Sequence, residues 1–295
     1  MKDNMLPEKI RQTIGNIPTL PTLPVVVSQV MELTSDPKTS VRQLSEVISR
    51  DQSLTTQVLK LVNSAYYGFP RQIKTINHAL IILGFNEIKN IAFTTSILRV
   101  FPDSSSTFFD RRKFWQHSIG SSIAAKMLAR IFRYRVSGEV FITGLIHDIG
   151  KIVLDQYAHS FFVEIIKKVK AEDISIYEAE KKALGITHTE IGGWLAEQWN
   201  LPVEIEEGIK FHHTPDRANL NPILTSIVHL SDILVRMRSI GFGGDDKIPS
   251  VHPVVWENLK SLRPDLNGTY MDYFISIFDE EIKKAKILFD IFSRG

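Results

Sequence analysis

Seven histidine and aspartate residues carry the chemistry that this sequence could perform. The chain has nine histidines and no cysteine, so a transition-metal site would use imidazole and carboxylate ligands without thiolate. His147 and Asp148 are adjacent in the otherwise apolar segment GLIHDIGK, residues 144–151. Buried charged groups need a partner or a metal ion, so we expect a cation beside this pair. The candidate ligands are His117, His147, Asp148, His188, His212, His213 and Asp232.

Asp148 is the candidate for a ligand shared by two metal ions. A carboxylate can bridge two ions through its two oxygens, whereas an imidazole cannot easily do so. We therefore expect one or two divalent ions, and the ligand types suit iron, manganese, nickel or zinc. The alternative is a vestigial site, in which the same polar residues hydrogen-bond to one another without any metal.

Composition limits the classes of function that this chain can have. It has 295 residues, of which 43% are hydrophobic and 23% charged, and its net charge is only +2. This charge is too small for a bulk nucleic-acid or membrane binder, so we expect neither direct nucleic-acid binding nor membrane attachment. The absence of cysteine excludes disulfides, zinc–thiolate sites and iron–sulfur clusters. Because the sequence shows neither a signal peptide nor a run of about 18 apolar residues, we expect a cytoplasmic protein.

Hydrophobic periodicity predicts an all-α fold that positions these ligands on several helices. Residues 108–132 are predicted to form a long helix carrying His117, and residues 139–157 a single helix carrying His147 and Asp148. Ser40 with Gln43 and Thr187 with Glu190 have the spacing of capping boxes at helix starts. Asn86 is predicted to cap the helix that follows Gly84. The segment GFGGDD, residues 241–246, is predicted to be a mobile turn.

Domain organisation follows from the polar segment PDSSST, residues 102–107, which is predicted to join two lobes. Residues 1–103 would form an N-terminal helical lobe, and residues 104–240 a helical region with the metal site. Residues 241–295 would supply a loop and helices that dock back onto the rest.

Both halves of the chain resemble one protein family. The order His, His-Asp, His, His-His, Asp resembles the metal-site pattern of the HD phosphohydrolase superfamily. The remaining motifs resemble its HDOD (HD-related output domain) branch, over roughly residues 15–235. These motifs are IPTLPTLP, LTSDPKTSVRQLSEVISRDQSLTTQVLKLVNSAYYG, INHALIILGFNEIKNI, FWQHS, GLIHDIGK, ALGITHTEIGGWLAEQWNLP and IVHLSDIL.

The resemblance implies a division of the ligands. His117, His147, Asp148 and Asp232 would be the basal set for one metal ion. His188, His212 and His213 would be the additional ligands for a second ion.

Asp148 and Lys151 are the candidate catalytic residues. The resemblance implies that Lys151 holds a phosphate oxygen, as a lysine does in related hydrolases. The alternative is an ion pair between Lys151 and Asp148, which lie one helical turn apart.

Two departures from related enzymes argue against cyclic di-GMP hydrolysis. No glycine–tyrosine–proline motif follows the paired histidines, where the sequence is HHTPDRANLNP. Lys113 stands where enzymes with three metal ions have a glutamate, so we expect no third ion.

Two functions remain. The first is a bacterial signalling output or scaffold protein that retains the metal site and acts through a protein partner. The second is a metal-dependent phosphohydrolase with one or two metal ions, acting on a nucleotide or another phosphoester. A nucleotide or a phosphate is the candidate ligand, and input to the signalling protein would come from a partner or from a ligand bound directly.

Overall fold

The computed structural model of the protein describes residues 21–102, 108–134 and 137–292. This part of the chain contains helices and no strands, so the predicted all-α fold is confirmed. We number the α-helices in chain order. They are α1 (Val25–Ser35), α2 (Val41–Ser49), α3 (Gln52–Val62), α4 (Ile76–Leu83), α5 (Phe85–Val100), α6 (Arg111–Ile131), α7 (Ser137–Ile146), α8 (Ile149–Tyr157), α9 (His159–Glu172), α10 (Ile176–Leu184), α11 (His188–Gln198), α12 (Val203–Phe211), α13 (Pro222–Met237), α14 (Pro253–Lys260) and α15 (Met271–Phe292).

Helices α1 to α5 pack on one another as the first group. The predicted capping box at the start of α2 is confirmed: the Gln43 amide donates to Ser40 Oγ, and the Ser40 amide donates to Gln43 Oε1. The prediction that Asn86 caps α5 is wrong. Gly84, with φ of 81°, ends α4 and is also the residue before α5, so Asn86 already lies inside the first turn.

The second group is built around α6, which packs against α7, α13 and α15. Helix α11 packs on α8 and α12, and α12 on α13. The predicted capping box of Thr187 and Glu190 is present at the start of α11. These contacts bring the middle of α6, the start of α11 and the end of α12 towards a common centre.

The prediction of one continuous helix over residues 139–157 is wrong. Helix α7 ends at Ile146 and α8 begins at Ile149, so His147 and Asp148 form the turn between them. Asp148 has φ of −100° and ψ of 7°, outside helical geometry. Apolar residues are buried on both sides of the turn, so hydrophobic periodicity continues across it and does not reveal the break.

The C-terminal part docks on the second group. Helix α14, whose bounds the sequence did not reveal, packs on α13. Helix α15 buries Phe274 and Phe278, and its Glu281 pairs with Arg130 of α6. The proposed joint falls largely on residues 103–107, outside the described residues, so the domain boundaries stay a prediction. Within the described ranges, every helix is too short or too polar to cross a membrane.

Candidate metal centre

All seven candidate ligands lie together in the second group of helices. His117 comes from the middle of α6, and Asp232 from α13. His147 and Asp148 come from the turn between α7 and α8, and His188 is the first residue of α11. His212 and His213 directly follow α12. Six of the seven residues are buried and His213 is partly exposed.

Half-site A consists of His117, His147, Asp148 Oδ2 and Asp232 Oδ1. Asp148 Oδ2 lies 3.7 Å from His117 Nε2 and 3.4 Å from His147 Nε2. Asp232 Oδ1 lies 3.0 Å and 3.7 Å from the same two nitrogens. His117, His147 and Asp148 offer ligand atoms that all lie within 4.8 Å of one another, as a metal site requires.

Half-site B consists of Asp148 Oδ1, His188, His212 and His213. Asp148 Oδ1 lies 3.1 Å from His188 Nε2 and 3.5 Å from His212 Nε2. The four residues offer ligand atoms that all lie within 4.8 Å of one another. Asp148 therefore directs one oxygen into each half-site, which is the arrangement expected of a bridging ligand.

Three histidines are held through Nδ1 so that Nε2 faces the centre. The Nδ1 atom of His147 lies 2.8 Å from the Gly144 carbonyl, and that of His212 lies 2.8 Å from the Ile209 carbonyl. His188 Nδ1 lies 2.6 Å from Glu180 Oε2. Such bonds fix the ring and leave the Nε2 lone pair for a metal ion.

The buried ligand atoms fit a divalent metal ion. Within the described residues, each lacks a hydrogen bond of good geometry, although His117 Nε2 lies 3.0 Å from Asp232 Oδ1 and His188 Nε2 lies 3.1 Å from Asp148 Oδ1. An unsatisfied buried polar atom costs about 1–3 kcal/mol. A metal ion would accept their lone pairs, whereas a self-contained polar network leaves them unpaired. These atoms are Nε2 of His117, His147, His188, His212 and His213, and Oδ1 of Asp148.

Both carboxylates of the centre are held in the ionised form. Burial opposes ionisation, but the Lys151 ammonium keeps the pKa of Asp148 well below its ordinary value. The Arg236 guanidinium has the same effect on the pKa of Asp232. Both groups are therefore anionic at neutral pH, as metal ligation requires.

The histidines divide into two electrostatic classes. Burial lowers the pKa of His212 to about 4 and that of His213 well below its ordinary value. Burial also acts on His147, but the Asp148 carboxylate outweighs it and raises the pKa of His147 to about 9. Without metal, His212 and His213 are therefore neutral at pH 7, while His147 carries a second proton that a metal ion would have to displace.

Lys151 is fully buried in an ion pair. Its Nζ lies 2.6 Å from Asp148 Oδ2 and donates to the Gly243 carbonyl at 2.7 Å. This is the ion-pair alternative given above, and a phosphate-binding role for Lys151 stays a prediction.

Sequence reasoning missed two charged residues of the centre, Glu180 and Arg236. Glu180 is fully buried and accepts from both the backbone amide and the ring of His188. Arg236 Nε lies 2.9 Å and 3.1 Å from the two oxygens of Asp232. The four-residue spacing of Asp232 and Arg236 on one helix face was the available signal.

His229 also supports the centre without facing it. Its Nδ1 lies 2.6 Å from the His212 carbonyl, and its Nε2 accepts from the His252 amide at 3.1 Å. Both ring nitrogens are therefore used, and the residue fixes the backbone between His212 and His213.

The segment at residues 241–246, predicted to be a mobile turn, is anchored in the structure, with Gly243, Gly244 and Asp245 buried and Gly243 lying over His117 of half-site A. Gly241 has φ of 68° and lies so close to the backbone of α6 that a Cβ atom would overlap it. The Phe242 amide donates to the Lys113 carbonyl, and Asp245 accepts from the Ile176 amide. Backbone and side-chain bonds to four helices, α6, α8, α10 and α13, hold the segment, which periodicity cannot show.

Comparison with known proteins gives a family match and related structures. Residues 20–215 match the HDOD domain family. An uncharacterized protein of Treponema pallidum is 26% identical over 225 residues, which are 75% of this chain. The match spans only 43% of the length of that relative.

Three solved structures share the fold. An HDOD domain protein of unknown function from Geobacter sulfurreducens has a TM-score of 0.80 and 24% identity, covering 98% of this chain and 97% of its own. A proposed signal transduction protein from Marinobacter aquaeolei has a TM-score of 0.76 and 22% identity, and the match covers 96% of this chain and 61% of that protein. A proposed phosphohydrolase from Shewanella amazonensis has a TM-score of 0.70 and 22% identity, and the match covers 93% of this chain and 97% of that protein.

Proposed function

This chain belongs to the HDOD domain family, and from that premise we propose that it is a signalling output protein with a divalent metal ion in its core. The observation that carries the proposal is the set of buried ligand atoms that face the two half-sites without a hydrogen-bond partner. The metal ion would fix three helices and two turns in one arrangement, which a protein partner would recognise.

The closed centre favours a binding role over turnover. The loop at residues 241–246 covers half-site A, and Lys151 is bonded to the Gly243 carbonyl within it. Lys151 is fully buried, so a phosphate group could reach it only after the loop moves. The name of the Marinobacter relative is consistent with signalling but supports it only by analogy of fold.

Metal content tests the proposal. The protein is stripped with a chelator, reconstituted separately with Mn²⁺, Fe²⁺, Ni²⁺ and Zn²⁺, and analysed by plasma mass spectrometry. We expect at least one tightly bound ion, and we expect Asp148→Asn to lose it because that carboxylate serves both half-sites. His78→Ala, which changes an exposed histidine on α4, is the matched control. A wild-type protein that stays free of metal contradicts the proposal.

One observation favours a second function, metal-dependent phosphohydrolysis. The two oxygens of Asp148 face separate half-sites, as in a dinuclear centre. Two bound divalent ions would activate water and stabilise the charge that develops during attack on phosphorus. Lys151 would then leave Gly243 and contact a phosphate oxygen.

A substrate panel distinguishes the two functions. The metal-loaded protein is assayed with phosphomonoesters, nucleotides and cyclic di-GMP, and the last should not react because the glycine–tyrosine–proline motif is missing. Hydrolysis that Asp148→Asn abolishes would support the enzyme. Bound metal with no hydrolysis of any compound would support the signalling protein.

A further inference from the structure

The two half-sites differ in how many ligand atoms are free. In half-site A, Lys151 occupies Asp148 Oδ2, and Arg236 contacts both oxygens of Asp232. Only the Nε2 atoms of His117 and His147 are left without a hydrogen-bond partner there. Half-site A therefore offers two free ligand atoms.

In half-site B, the ligand atoms contact one another and no cationic side chain of the described residues is bonded to them. Asp148 Oδ1 and the Nε2 atoms of the three histidines have no hydrogen-bond partner. The three histidines are His188, His212 and His213. Among the described residues, no arginine or lysine side chain is bonded to Asp148 Oδ1 or to these nitrogens. A metal ion entering half-site B would displace no arginine or lysine, and it would replace the 3.1 Å contact between His188 Nε2 and Asp148 Oδ1.

Arg236 is fixed in its position. Its side chain is only 7% exposed, and Nη1 donates to Asp245 Oδ1 at 3.0 Å and to the Lys247 carbonyl at 3.1 Å. Gly243 packs so closely that a Cβ atom there would lie 2.9 Å from Arg236 Nη2. The guanidinium is always protonated in proteins, so half-site A contains a permanent positive charge.

Exposure also differs between the half-sites. The members of half-site A are all buried, and the loop at residues 241–246 covers them. His213 of half-site B is partly exposed. The ligand atom of His213, Nε2, is nevertheless buried, so only other atoms of this residue reach solvent.

We propose that Arg236 serves as the resident cation of half-site A, so that this protein binds a single metal ion, in half-site B. This inference rests on the proposed metal-binding function and reverses the order of filling that the family resemblance implies. Arg236 is a specificity-determining residue here, because its charge takes the place of the first metal ion.

Two histidine variants test the order of filling. Zn²⁺ is titrated into the chelator-stripped full-length protein by isothermal titration calorimetry, and the bound metal is measured after desalting. We expect one equivalent in the wild type and little change in His117→Ala. In His188→Ala we expect affinity to fall by more than about 100-fold, since even groups that only orient a ligand contribute about 10–100-fold.

An arginine variant tests the cause. Arg236→Gln removes the charge and should raise the stoichiometry from one to two Zn²⁺, because both Asp232 oxygens become available. The control is Arg238→Gln, which changes an exposed arginine that pairs with Asp279. This variant should still bind one Zn²⁺ ion. A purely structural role for Arg236 would lower stability without adding a metal ion. The histidine variants test the proposal independently of whether Arg236→Gln folds.

The possible failures are distinguishable. No Zn²⁺ in the wild type would overturn the proposed function and this inference with it. Zn²⁺ that depends on His117 and survives the loss of His188 would overturn the inference alone. Binding of two equivalents of Zn²⁺ by the wild type would also overturn the inference alone.

Discussion

At the scale of single residues, the function of each ligand depends on a neighbour that holds its other side. Glu180 accepts from the His188 ring and backbone amide, so it determines which nitrogen of His188 faces the centre. This dependence makes Glu180 a positioning residue for half-site B.

Glu180→Gln should lower Zn²⁺ affinity by about 10–100-fold, because an amide orients the imidazole less strongly than a carboxylate does. Calorimetric titration of the stripped protein measures the effect. Glu197→Gln, an exposed position on α11, is the control and should bind as the wild type does. Equal affinity in both variants would show that Glu180 does not support the ligand.

Protonation of His212 should make the metal-free protein less stable in acid. Its pKa is about 4 in the folded state and about 6.5 when unfolded, so between these values the unfolded chain binds more protons. The free energy of unfolding should therefore fall by about 3 kcal/mol as pH drops from 6.5 to 4. Urea unfolding at several pH values measures this, and His212→Gln should show a shallower slope.

Residue types and order were enough to predict which side chains meet. Histidines and aspartates scattered from position 117 to 232 converge as the pattern indicated. Glu180 and Arg236 were not predicted, because acidic and basic residues are common on helix surfaces and nothing in their own type marks them as buried. Their roles depend on tertiary contacts that a single sequence does not display.

At the scale of elements, the turn between α7 and α8 depends on close helix contact. Gly150, in the first turn of α8, lies against the backbone of His188 at the start of α11. A Cβ atom at this position would overlap the His188 carbonyl. The glycine therefore allows Asp148, in the turn before α8, and His188, at the start of α11, to approach each other.

Gly150→Ala should destabilise the protein by about 1–3 kcal/mol or more, because the added methyl group overpacks a backbone contact. It should also weaken metal binding by separating His188 from Asp148. Urea unfolding and Zn²⁺ titration measure the two effects. Gly268→Ala, where the added atom makes ordinary contact with Trp256, is the control, and an equal loss of stability there would refute the explanation.

The sequence predicted that most segments are helices, but it did not predict the residues at which some of these helices begin and end. Capping boxes at Ser40 and Thr187 were read correctly because side-chain spacing determines them directly. The break at Asp148 and the bounds of helix α14 were missed. In both places the local sequence is compatible with more than one structure, and packing against other helices decides between them.

At the scale of the whole molecule, two polar connections hold distant segments together. Glu87 of α5 accepts from Tyr67 Oη and from Lys126 Nζ of α6, joining the first group of helices to the second. Asp245 accepts from the Ile176 amide and from Arg236, joining the covering loop to α10 and α13.

Asp245→Ala should lower the free energy of unfolding by about 1–3 kcal/mol, because it leaves a buried amide and part of a buried guanidinium unpaired. Asp246→Ala changes the exposed neighbour and should have little effect. Urea unfolding of both variants gives the comparison. Similar stability of the two variants would mean that the covering loop is not anchored through Asp245.

The order of the ligands along the chain has a consequence for biosynthesis. Translation adds His188, His212 and His213 before Asp232 and Arg236, and the family match itself ends at residue 215. A nascent chain that has emerged to residue 213 thus contains every ligand of half-site B. Half-site A still lacks Asp232, which lies on α13. The two halves of the centre become complete at different chain lengths on the ribosome.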